Sequence, residues 1–143
     1  MYKNILIATD GSELAASAVE HGISLAKSVS ANVIAVNVSE PFHWFAPDMI
    51  EDAEAAYIQA ANQNAARILA AVAEAAKAAG VSCETVLVEE ERPYKAIIDT
   101  ANSKNCDLIV MASHGRHGIS AMVLGSESVK VLTHSKIPVL ICH

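Results

Sequence analysis

The chain has 143 residues, 52% of them apolar and 18% charged, with a formal net charge of −6. That balance excludes a disordered tail, and the length suits one domain spanning residues 1–143. An acidic chain lacks the electrostatic footprint of a general nucleic-acid binder, although backbone amides alone can build a local phosphate site.

In chain order, residues 5–8 (Ile-Leu-Ile-Ala) are apolar at successive positions, which reads as a strand buried on both faces. Ser12 can cap a helix to about residue 29, with Leu14, Ala18, His21, Leu25 and Val29 near one face. A second strand at 33–36 leads into an irregular segment, 39–50, that holds Pro41, Pro47 and three of the six aromatics, Phe42, Trp44 and Phe45. Those rings suit either a lid over a ligand or packing onto the start of the next helix. Residues 52–79 predict a long Ala-rich helix, stopped by Gly80 in the left-handed C-terminal position. Alanine supplies 26 residues of the chain, so helices are expected to approach the core closely.

A third strand at 85–88 is followed by a helix starting near Arg92, with Pro93 in its first turn, and ending near 105. The last three elements are a strand at 108–111, a helix from Ser126 that stops before Pro138, and a strand at 139–141. Cys83, Cys106 and Cys142 are widely spaced with no CxxC, which excludes a zinc ribbon or a thioredoxin-type motif and points to reduced, buried thiols. With no signal-type h-region and no run near ~18 apolar residues, the expectation is a soluble cytoplasmic protein without a membrane partner.

Strands alternating with helices imply an α/β fold, with a parallel sheet covered on both sides. Ligands of such sheets bind beyond the C-terminal strand ends, here residues 9–12, 38–40, 89–91 and 113–127. Gly125-Ser126 at a helix start offers amides, a positive dipole end and a hydroxyl to a phosphate; the plain alternative is a turn and a cap. The chain has no GxxxxGK[ST] and no GxGxxG after its first strand. A receiver domain is also excluded, because Glu89-Glu90-Glu91 follows the third strand where clustered aspartates would be needed.

The spacing Ala112-x2-Gly115-x9-Gly125-Ser126 follows the fourth strand. Together with the opening Ile5 to Ser12 and the close Val131 to Ile141, it resembles the nucleotide-binding signature of the universal stress protein family, over the whole chain. The resemblance implies a Rossmann-like three-layer sandwich with a five-stranded parallel sheet in the order 3-2-1-4-5. For the ATP-binding branch it implies that Gly115 lets the loop backbone approach phosphates and ribose, and that Gly125 and Ser126 hold phosphate oxygens. Asp10 is then expected beside the nucleotide and Val38 against the adenine. Ala8, Thr9, Met111, Ala112, Ser113, His114, Arg116, Gly118 and Glu127 complete the expected lining.

The implied ligand is ATP, with or without Mg, and the implied protein is a stress-response regulator or sensor. A homodimer through the last strand is expected, along with a protein partner that the sequence does not identify. Two other readings stand beside it: a nucleotide-free interaction module of the same fold, and a slow ATPase or phosphotransfer protein. Asp10 has no second carboxylate, base or metal cluster joined to it in sequence, so a dedicated enzyme is not expected. His114 and His117 read as a loop pair beside a phosphate, since zinc wants three or four protein ligands. Ala112 departs from the first glycine of the signature. A positive φ there would strain alanine, whereas a need for space alone would tolerate one methyl.

Overall fold

A computed structural model describes residues 1–41, 51–114 and 124–143, with backbone alone for 51 and 52. The elements run β1 (Asn4–Ala8), α1 (Glu13–Val29), β2 (Asn32–Ser39), α2 (Glu51–Ala78), β3 (Cys83–Glu89), α3 (Pro93–Ser103), β4 (Leu108–Ala112), α4 (Ser126–His134) and β5 (Val139–Cys142). The five strands are parallel and lie in the order β3-β2-β1-β4-β5, as the resemblance implies. Ser12 caps α1 by accepting from Ala15 N–H, Pro93 opens α3, and Gly80 takes φ +75° after α2. These are the local signals the sequence carried.

The core is split by the sheet. Ile5 and Ile7 face the layer containing Ala18, Ile23, Leu69 and Val72 of α1 and α2. Leu6 and Ile109 face Ile97, Ala101 and Val131 of α3 and α4. Ile5, Leu6, Ile7 and Ile109 are fully buried, which accounts for the unbroken apolar runs of β1 and β4. At the amino end, the Asp107 carboxylate accepts from Lys3 N–H at 2.9 Å and Asn4 N–H at 3.1 Å, pinning the start of β1 beside that of β4.

Two expectations need correction. On α1 the buried residues are Ala15, Ala18, Gly22, Ile23 and Ala26, whereas His21 is exposed and Leu14, Leu25 and Val29 are half-buried. The helix approaches the sheet through small residues and Ile23, so Leu14, Leu25 and Val29 fall on the flanks. Burial on both faces also fails for β3 and β5. They are the sheet's edges, where Leu87 is 42% and Leu140 39% exposed.

The cysteines of the described residues are free thiols. Cys106 and Cys142 are buried, and Cys83 is half-buried rather than buried. Burial pushes the Cys106 thiol up to about 11, with the negative charges of Asp107 and Glu84 adding to the effect. Burial also raises Cys83 and Cys142, so all three stay protonated near neutral pH.

Candidate functional site

The register Ile7↔Val110 sends Thr9–Asp10 and Ser113–His114 out of the same end of the sheet, and Ala8↔Val36 brings Asn37–Val38 alongside. After β1 the chain makes a tight polar turn. The Asp10 carboxylate accepts from Ser12 N–H at 2.9 Å, Thr9 Oγ1 accepts from Gly11 N–H at 3.2 Å, and Gly11 takes φ +79°. Asn37, buried at the end of β2, donates through Nδ2 to the Thr9 carbonyl at 2.9 Å. The helix that follows β1, α1, packs on one side of the sheet and the next helix after β4, α4, on the other. This is the switch point of the strand order, where open parallel sheets form the crevice that takes their ligands.

The other wall is the junction of β4 with α4. Gly125 is the N-cap, and its N–H donates to the Ser113 carbonyl at 2.7 Å. The buried Ser128 hydroxyl lies 3.0 Å from the carbonyls of both Ala112 and Ser113 and donates to them. A Cβ at Gly125 would sit 3.1 Å from Ser113 O and 3.4 Å from His114 Cα, so a side chain here would press on the strand end. His114 is buried, its Nδ1 3.0 Å from Ser113 Oγ. These contacts hold the amino end of α4 at the mouth of the crevice. The N–H groups of a first helical turn have no intrahelical partners there and favour an anion.

Ser126 is the first residue of α4 and exposed, so the cap is Gly125 and not the serine. Glu127 turns its carboxylate sideways. Oε2 accepts from Tyr94 N–H of α3 at 2.8 Å, and Oε1 pairs with Lys130 at 3.3 Å. That leaves the backbone of Glu127, rather than its charge, for the crevice. Ala112 is an extended strand residue paired with Cys142, and it is absent from the positive-φ positions, so its methyl brings no backbone strain. Ala8 and Val38 are half-buried at strand ends, while Thr9, Met111 and Ser113 are buried.

Gly115, Arg116, His117 and Gly118, and the aromatics Phe42, Trp44 and Phe45, lie outside the described residues. Sequence reasoning missed Asn37 and Ser128. The one available signal for Asn37 was an amide breaking an otherwise apolar run at 33–38. No helix among the described residues is long and apolar enough to cross a membrane.

The sequence profile of the universal stress protein family matches residues 1–143. A universal stress protein of Thermus aquaticus is 33% identical over 141 residues, covering 99% of this chain and 98% of that one. One from Methanocaldococcus jannaschii is 32% identical over 143 residues, covering 99% and 82% respectively. Among solved structures, a universal stress protein in complex with cAMP aligns with TM-score 0.74 at 30% identity, covering 99% of this chain and 97% of that one.

Proposed function

The chain belongs to the universal stress protein family, and from that premise we propose that it binds an adenine nucleotide, ATP with or without Mg, as a cytoplasmic regulator or sensor. The observation that carries this reading is the seating of α4 on β4 through the Gly125 N–H, which sets the amino end of the helix against the carboxyl end of the strand. Amides of residues 126–128 and the Ser126 hydroxyl hold phosphate oxygens, favoured by the helix dipole. In this reading Asp10, in the turn after β1, meets the ribose, and Val38 offers its half-buried apolar surface to the base. Ala112 fits the proposal because its extended backbone accepts a methyl without strain. The solved relative bound to cAMP supports an adenine nucleotide as the ligand class.

Calorimetric titration with Mg-ATP up to about 1 mM, which corresponds to only about 4 kcal/mol of binding, tests the proposal. One nucleotide per subunit is expected. Absence of heat, together with failure to displace a fluorescent adenine nucleotide, would overturn it and favour a nucleotide-free interaction module.

The proposal includes a homodimer formed through β5. This edge strand exposes Leu140, and the adjoining α4 exposes Val129 (44%) and Leu132 (42%). A bare apolar edge favours pairing with another strand. Sedimentation should give a species of twice the chain mass, and a monomer at every concentration would contradict the dimer.

A further inference from the structure

The crevice wall formed by the β1–α1 turn is braced internally by its own polar groups, but its position against the body of the protein needs further contacts. One comes from α2. Gly11 presents a bare Cα to Ile68, and a Cβ built there would fall 2.7 Å from both Ile68 Cδ1 and Ile68 Cγ1. The isoleucine therefore fills the space that any other residue at position 11 would need for its side chain. Gly11 is doubly constrained, by this contact and by its φ of +79°. On the strand side, the Asn37 amide holds the Thr9 carbonyl at 2.9 Å. Asp10 lies between these two anchors.

We infer that Ile68 is a positioning residue for the crevice: seated on Gly11, it holds the Asp10 turn in the conformation that meets the ligand. The inference rests on the nucleotide reading above for its ligand, but not for its geometry. Ile68 is half-buried and faces the turn, while its neighbour Leu69 is buried in the core between α2 and the sheet. Adjacent residues of one helix thus serve different purposes, and substitutions at the two should separate cleanly. α2 becomes the element through which a displacement outside the crevice reaches Asp10.

The test compares wild type, Ile68→Ala, Ile68→Leu and Leu69→Val by affinity for a fluorescent ribose-labelled ATP, by melting temperature, and by amide hydrogen exchange at Gly11, Ser12 and Ala15. Ile68→Ala should weaken the probe by about tenfold and speed exchange in the turn, while Ile68→Leu stays within about twofold of wild type. Leu69→Val should lower the melting temperature yet leave probe affinity within about twofold. Unchanged turn exchange in Ile68→Ala overturns the inference. So does an affinity loss that follows melting temperature equally in Ile68→Ala and Leu69→Val. If wild type does not bind the probe, the nucleotide reading fails, and exchange alone still decides whether Ile68 holds the turn.

Discussion

Adenine-nucleotide affinity is expected to fall by at least about tenfold, or about 1.4 kcal/mol, in Gly125→Val, read by the same calorimetric titration. The argument is one of space. Gly125 has φ −63°, which any residue adopts, so no conformational penalty attaches to a side chain there. Its neighbours are unyielding, because a Cβ would meet Ser113 O at 3.1 Å and His114 Cα at 3.4 Å, both main-chain atoms. A valine must push the first turn of α4 off the end of β4. That move stretches the 2.7 Å Gly125–Ser113 bond and withdraws the amides meant for the phosphate. Gly125→Ala asks for a few tenths of an ångström and should fall between valine and wild type. Wild-type affinity in the valine variant would mean that the α4 amides do not hold the ligand.

The largest loss of stability is expected from Gly22→Val, about 3 kcal/mol by chemical denaturation. Helix propensity argues weakly the other way, since glycine is about 1 kcal/mol worse than alanine inside a helix and valine recovers part of that. Packing decides the sign. A Cβ at Gly22 would lie 2.5 Å from Ile7 Cδ1 and 2.8 Å from Ile7 Cγ1, with Val110 Cγ1 at 3.6 Å. Ile7 is itself fully buried in the central strand and has little room to retreat. An unchanged or higher denaturation midpoint would sink the prediction.

Gly22 also shows where sequence reasoning stops. The three inner strands were legible because burial on both faces leaves unbroken apolar runs, and the helix ends were legible from Ser12, Gly80 and Pro93. The sheet order came from the family resemblance. The buried face of α1 was misplaced by about one residue, because large apolar side chains were weighted above Ala15, Gly22 and Ala26, the residues that allow close approach. The edges were misread for a related reason: Val86 and Val88 look alike whether a strand has one neighbour or two.

At the crevice, residues at strand and helix ends, such as Asp10, Ser113 and Gly125, could be located from topology alone. Ser128, Asn37 and Ile68 could not, since each acts on a segment distant in the chain and its role depends on how α4, β2 and α2 are docked. Glu127 lies in the first turn of α4, and the direction of its carboxylate follows from α3 standing beside α4.

The two rims of the sheet are unlike, and the asymmetry governs how far self-association can run. β5 exposes Leu140 and carries no charged residue, whereas β3 exposes Glu84, Thr85 and Glu89 beside Leu87, with Glu84 paired to Lys104 of the segment after α3. A second copy's β3 meets like charges at this edge, and any strand added here must strip Glu84 and Glu89 of water, a standard barrier to strand addition. A particle adhesive at both rims would add copies end to end into a fibre. In the proposed β5-paired dimer the apolar rim is covered, and each further copy has to strip water from the carboxylates of β3, so the charged rim opposes growth beyond two.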